Sequence, residues 1–269
     1  MILAQDSTSG DDAATTLPFP VLSAWRLPCL VHGFMTREGG VSRGPYHSLN
    51  LADRVGDDSN SVSANRARWH AAYPQMQFAR LQQVHGTRVQ RIDSDTGGER
   101  RIGDGMVSRS RGIALSIFTA DCVPVLMVDV ANEVVGALHA GWRGTLAGIA
   151  REGIGSMATL GARPEQIRVA LGPSIGSCCF EVDAELAARF VLDWPATGSC
   201  WRPGRAGKKH LDLRGILRLQ LLEAGVGAAS IGNIGPCTRC ESNRFFSRRA
   251  AGGATTGLQM SFIGFEPKP

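Results

Sequence analysis

Three side chains are able to bind a metal or share a proton: Cys122 in "FTADCVPVLMVDV" and His139 in "ALHAGWRGTLAGIA", at the ends of apolar runs, and His85 in "LQQVHGTRV", beside a glycine. Cys122 and His139 are separated by two short apolar stretches around the polar break "ANE", the pattern of an antiparallel hairpin. Paired residue numbers in such a hairpin have a constant sum. A turn centred between Val130 and Ala131 sets that sum at 261, which 122 and 139 also give, so the thiol and the imidazole are expected to face each other on one side of the sheet. A turn centred one residue later would offset them diagonally and still leave them within reach of one ion. Pro124 adds the expectation of an edge or a bulge, because proline cannot donate to a ladder.

A thiol facing an imidazole supports two chemistries. One is a cysteine nucleophile with histidine as its base, which needs a depressed thiol pKa and an orienting third group. The other is a zinc site with one coordination position open to water or substrate, for which His85, at an expected bend beside a glycine, is the candidate third ligand. Asp121, next to the cysteine, is a candidate orienter or proton carrier, and equally a turn cap. Gly141, Arg143 and Gly144 at a strand-to-helix junction could bind an anion through backbone N–H groups and a guanidinium, or could simply turn the chain. The plain alternatives are that Cys122 is a small core hydrophobe and His139 a satisfied core histidine. Cys237 and Cys240 have CxxC spacing in "GPCTRC", but a zinc ribbon needs a second such pair and Cys178-Cys179 is adjacent rather than spaced.

The elements that must position these residues are legible as patterns. "SVSANRARWHAAY" reads as a helix with Ser61 or Ser63 as cap, and "FARLQQVHGTRVQRI" as a strand pair bent near His85. From Ile113 onward the chain alternates: "GIALSIFTADCVPVLMVDV" and "EVVGALHA" as strands, "TLAGIAREGIGSMATLG" as a helix stopped by Gly161, and "PEQIRVALGPSIGSCCFEV" as a strand and glycine turn. "DAELAARFVLDW" follows as a helix, and "LDLRGILRLQLLEAG" as an amphipathic helix closed by Gly225. Alternation of this kind implies an α/β or α+β domain with buried mixed sheets.

Composition bounds the setting. The chain has 269 residues, 43% apolar and 20% charged, which is ordinary globular usage with material for a sizeable core. Its longest apolar runs fall short of the roughly 18 to 20 residues of a membrane span, so a soluble protein is expected. Residues 1–20 lack a basic start and a signal-length apolar stretch and read as a loosely ordered leader, and the length allows one large domain or two small ones. Seven cysteines, an odd number in a chain of this size, fit free or metal-bound thiols in a reducing cytoplasm. The net charge of +5 comes almost wholly from dispersed arginines, since Lys208, Lys209 and Lys268 are the only lysines. No nucleic-acid motif or dense basic run accompanies it, so small phosphorylated ligands fit better than nucleic acid.

In this order, "TREGGVSRGPYHSLNLADRVGDD", "ANR", "QQVHG", "DGMVS", "TADCVPVLMVD", "GALHAGWRGTLAGI", "ALGPSIGSCCFEV" and "CTRCESNRFFSRRAAGGATTG" resemble the YfiH family. That family is also labelled DUF152, laccase-domain or polyphenol oxidase. The likeness spans Leu30 to Ile263. It implies a layered αββα sandwich of mixed sheets between helices, and a zinc ion held by His85, Cys122 and His139. It also implies purine nucleoside phosphorolysis with adenosine deamination as a related activity, or a part in peptidoglycan editing. The oxidase label would imply copper, but a multicopper oxidase needs about ten histidines, largely in His-x-His pairs, if imidazole is to hold its metals. This chain has six histidines and no such pair.

The expectation is therefore a zinc-dependent purine nucleoside phosphorylase with adenosine deaminase activity, acting on small molecules without a membrane or nucleic-acid partner. Arg143 and Arg43 are its phosphate candidates, and Asn50 a ribose candidate or an Asx turn. The alternative is a metal-free hydrolase or amidase with Cys122 as nucleophile and His139 as base, and a binding protein without turnover is a third reading. Two departures from the family pattern stand out. Leu258 follows Thr256-Gly257 where the family commonly has arginine, and Phe180 stands where it often has tyrosine.

Overall fold

The computed structural model of the chain describes residues 20–93 and 101–268. The leader expected over residues 1–20 lies, Pro20 apart, outside the described residues. The first elements are β1 (Val21–Leu22), β2 (Leu30–Met35), α1 (Ser59–Ala72), β3 (Gln77–Arg80), β4 (Val89–Arg91) and β5 (Gly105–Ser108). Next come β6 (Ile113–Thr119), β7 (Val123–Asp129), β8 (Val134–Ala140), α2 (Trp142–Leu146), α3 (Ile149–Thr159), β9 (Arg168–Leu171) and β10 (Glu181–Asp183). The rest are α4 (Ala184–Asp193), β11 (Trp201–Pro203), β12 (Lys208–Leu211), α5 (Leu213–Glu223), β13 (Ile231–Asn233) and β14 (Gln259–Phe265).

Among the described residues the strands form a five-stranded sheet, β1-β2-β14-β6-β3, a six-stranded sheet, β13-β9-β7-β8-β5-β4, and a small sheet, β10-β12-β11. β7 and β8 are buried at every position, and such continuous apolar strands need cover on both faces. Leu126, Val128, Val135 and Ala137 pack toward the five-stranded sheet, against Phe34, Leu115, Ile117 and Ile263. Val125, Met127, Val134 and Leu138 point the other way, into a core shared with α3, α4 and α5. The outer face of the five-stranded sheet is closed by α1, whose Trp69 sits edge-on to Phe262 at 4.4 Å between ring centres. The order helix, sheet, sheet, helices is the expected αββα sandwich.

Four local expectations are corrected. The cap of α1 is Asp58, whose carboxylate accepts from the Ser61 amide at 2.8 Å; Ser61 and Ser63 lie inside the helix. The segment after His139 is two helices rather than one, broken at Gly148, where φ is 87° and only glycine turns freely. β3 and β4 are not a pair: β3 runs parallel to β6 in one sheet and β4 parallel to β5 in the other, so the chain crosses between sheets through His85. Pro124 lies in an interior strand, since β7 is flanked by β9 and β8; it is tolerated at the end of β7, where the ladder with β9 begins only at Val125.

Candidate active site

Two crossovers between the large sheets meet the end of β8. Residues 81–88 carry His85 from β3 to β4, and Ala120, Asp121 and Cys122 link β6 to β7. The hairpin is centred one residue later than the symmetric case: Val123 pairs with Ala140 and Pro124 with His139. Cys122 is thus the diagonal neighbour of His139 on the same face, just beyond the strand, which is the second of the two registers weighed above. Alternation puts both on the inner face of the six-stranded sheet, at the end of the sandwich where the sheets part. The ligand atoms of His85, Cys122 and His139 all lie within 4.8 Å of one another, and the two imidazoles meet edge to face at 4.8 Å. Gly141 makes this approach possible, because a Cβ there would stand 3.0 Å from both Cys122 Sγ and His85 Cδ2.

The organiser of the trio is Asp104, which sequence reasoning missed. It is fully buried, and its Oδ1 accepts from His139 Nδ1 at 2.8 Å and from the His85 amide at 2.8 Å. Its Oδ2 accepts from the Gly86 amide at 2.7 Å, and its backbone carbonyl from the His139 amide at 2.7 Å. The side-chain bond fixes the His139 tautomer and turns Nε2 toward Cys122 and His85. The same carboxylate holds His85 in a left-handed conformation, φ 62°. The available signal was an acid flanked by glycines in "IGDGMVS", at the start of a buried strand.

Asp121 lines the cavity around the trio and also anchors a neighbouring loop. Its φ is 92°, and its two carboxylate oxygens accept from Thr238 Oγ1 and the Arg249 amide, each at 2.7 Å, tying down the loop before β14. Electrostatics bind the trio together. Burial opposes ionisation of the Cys122 thiol, but the charge and hydrogen bonds of His139 and His85 outweigh it and bring the thiol down to about 6. Burial would lower His139, yet the Cys122 thiolate and Asp104 carry it up to about 9. Burial also pushes the Asp104 carboxyl up, and the hydrogen bonds from His139 and the Gly86 and Val84 amides hold it below its ordinary value. The thiol is therefore a ready thiolate, the form that either attacks or coordinates.

The trio lies in a cavity of about 850 Å³ whose lining includes Arg54, Arg66, Arg80, Arg143, Arg248 and Arg249. Arg143 stacks over Trp142 at 4.2 Å. It lies in the first turn of a helix of only five residues, too short for much of a macrodipole, so what it presents to the cavity is a guanidinium rather than a helix end. Phe118, Ile175, Phe180 and Leu258 supply an apolar wall, which puts both departures from the family pattern at the cavity surface. Arg43 and Asn50 are not brought into this lining. Arg43 is exposed at a tight turn, and Asn50 is fully buried, its side chain bonded to Ala52, Asp57 and the Leu258 amide. It makes the Asx turn.

This geometry has known counterparts. The sequence profile of the family described as multi-copper polyphenol oxidoreductase laccase matches residues 31–266. The chain belongs to that family, the YfiH or DUF152 family. It is 43% identical over 249 residues to a protein of Deinococcus radiodurans named purine nucleoside phosphorylase, covering 91% of this chain and 94% of that one. It is 36% identical to a protein of an unknown prokaryotic organism named adenosine deaminase RL5, over 82% of this chain and 89% of the relative. The crystal structure of YlmD from Geobacillus stearothermophilus is similar with a TM-score of 0.84 at 36% identity, covering 93% of this chain and 94% of that one. YfiH-family relatives thus carry names for two reactions of purine nucleosides, beside an oxidase description. No helix among the described residues is long and apolar enough to cross a membrane.

Proposed function

We propose that the chain is a zinc-dependent purine nucleoside phosphorylase that also deaminates adenosine, with residues 21–269 acting as one catalytic domain. The observation that carries this reading is the convergence of one thiolate and two imidazoles on the floor of an arginine-rich cavity. The donor set suits zinc: one sulfur and two nitrogens, an imidazole oriented by a buried carboxylate, and a cavity lined by all three residues. His85, Cys122 and His139 would hold the ion, which when bound supplies the Lewis acidity that both reactions draw on.

The chain's own residues supply the rest. In phosphorolysis a phosphate oxygen bonds to C1′ of the ribose as the bond from C1′ to the base nitrogen breaks, and positive charge grows on the sugar. Arg143 and Arg248 are exposed on the cavity wall, and neither side chain has a hydrogen bond or ion pair among the described residues, which suits them to hold the phosphate. Phe180 and Phe118 offer faces against which a purine can stack, with the Arg249 guanidinium 5.4 Å from the Phe180 ring centre. Leu258, in place of the family's arginine, leaves this wall one cation fewer. The test is the release of ribose 1-phosphate from adenosine and inosine, with metal content measured in parallel; zinc-loaded protein that yields neither ribose 1-phosphate nor inosine would overturn the reading.

One observation favours a second reading. The ionised Cys122 beside His139 and Asp104 has the composition of a Cys–His–Asp nucleophile, as a hydrolase or peptidoglycan-editing amidase would require. In that reading His85 helps to keep the thiol ionised instead of binding a metal. Thiol alkylation blocked by zinc and restored by chelation supports the metal; rapid alkylation that kills an active, metal-free enzyme supports the nucleophile.

A further inference from the structure

Four thiols that the proposed reaction does not use meet outside the cavity. Cys178 and Cys179 lie in the turn between β9 and β10, and Cys237 and Cys240 in the segment between β13 and β14. All four sulfurs are within 4.8 Å of one another, with Cys240 Sγ 3.6 Å from Cys178 Sγ and 3.5 Å from Cys179 Sγ. We propose that these cysteines bind a second zinc ion, in a closed tetrathiolate site that clips together two loops behind one wall of the cavity.

Geometry is the first support. Four sulfurs at about 2.3 Å from a zinc ion in a tetrahedron stand about 3.8 Å apart, close to the separations found here. The site is also framed before any ion enters. Ser174 and Cys237 form a parallel bridge, the Thr238 amide donates to the Ser174 carbonyl at 3.1 Å, and Arg214 donates to both the Ser174 and Pro236 carbonyls. The Gly176 amide donates to Cys237 Sγ at 3.2 Å, the kind of outer bond that steadies a thiolate ligand. Four thiolates around a divalent ion carry two net negative charges; the Arg239 side chain bonds to Cys179, and Arg202 Nη2 reaches the Ser177 carbonyl at 3.2 Å.

Core packing accounts for only half of the cluster: Cys179 and Cys237 are half-buried against the helical core, whereas Cys178 and Cys240 are exposed. With all four positions filled by the chain, the site has no opening for substrate and acts on shape. Phe180 follows Cys179 directly, the Arg249 guanidinium donates to the Cys179 carbonyl, and Thr238 anchors Asp121 beside Cys122. The clip therefore sets the position of Phe180 and Arg249 in the cavity wall.

The test uses the full chain, purified without oxygen and stripped of metal. Cys122→Ser keeps all four cluster thiols; titrated with Zn2+ or Co2+, it is expected to retain one equivalent, and the cobalt form to show the strong sulfur-to-metal charge-transfer absorption of four thiolates. Cys237→Ser with Cys240→Ser is expected to lose that equivalent and keep the one at His85, Cys122 and His139, with a several-fold rise in nucleoside KM and little change in kcat. The proposal is overturned if Cys122→Ser binds no ion while its cluster thiols all react with a thiol reagent, or if intact mass reveals a disulfide among them. Should the double variant fail to fold, the Cys122→Ser titration decides alone. The KM effect rests on the phosphorylase reading; the metal count does not, so the two can fail separately.

Discussion

The two sulfur-bearing clusters both gather donor side chains from segments far apart in sequence, and they differ in what surrounds them. The trio of His85, Cys122 and His139 hangs from crossovers and a strand end of the large sheets, is oriented by a buried carboxylate, and opens on a cavity lined with arginines. The four cysteines sit on surface turns, make their outer contacts with backbone amides and arginines, and offer only sulfur. Mixed ligands with a free position suit chemistry, and saturated thiolates suit structure. The contrast lies in what surrounds the ligands, since each cluster by itself is only a set of donors.

That contrast can be broken most directly at the trio. Cys122→Ser or His139→Ala should lower phosphorolysis by about 10³-fold or more, through loss of the Lewis acid, while leaving the four-cysteine ion in place; metal analysis and turnover of the same samples check both halves. Asp104→Asn should weaken zinc binding or activity by about 10- to 100-fold, as loss of a ligand's orienting partner does. A competition titration with a chelator measures it, and unchanged affinity would mean that Asp104 serves only the backbone.

Smaller effects sharpen the picture. In chelated protein the thiolate fraction of Cys122 grows as pH rises through about 6, so its alkylation rate should climb there rather than near its ordinary value of 9.0. Iodoacetamide labelling followed by peptide mass spectrometry, with and without zinc, resolves Cys122 from the four cluster thiols. Arg248→Ala should raise the KM for phosphate about tenfold with kcat nearly unchanged, because a charge-assisted hydrogen bond is removed from binding. Leu258→Arg, restoring the family's cation, should move that KM the opposite way by a few-fold; an identical phosphate KM would place residue 258 outside phosphate recognition.

The layers of the fold were legible because β7 and β8 are continuous apolar runs and α3 and α5 carry apolar periodicity, and the trio because Cys122 and His139 stand at the ends of such runs and His85 beside a glycine at a bend. Asp104 was hidden. Its motif, "DGMVS", reads only as a family marker, and no periodicity distinguishes a carboxylate that accepts from four hydrogen-bond donors from one in a turn. The split of β3 and β4 between sheets was hidden for a related reason: two short strands flanking a glycine look alike whether they pair or part, and only their partners β6 and β5 decide.

What the sequence determined by itself was the set of apolar runs, and with them the α/β class; its ordered motifs carried the family, the layered sandwich which that implies and the three residues on which chemistry could converge. Tertiary structure alone decided the diagonal register of Cys122 and His139, the crossing of both ligand-bearing loops between sheets, the carboxylate beneath them and the meeting of four distant cysteines. The division is physical: burial patterns are written locally in side-chain periodicity, whereas the contacts that tune charge, or gather ligands from far along the chain, exist only once the sheets have closed on each other.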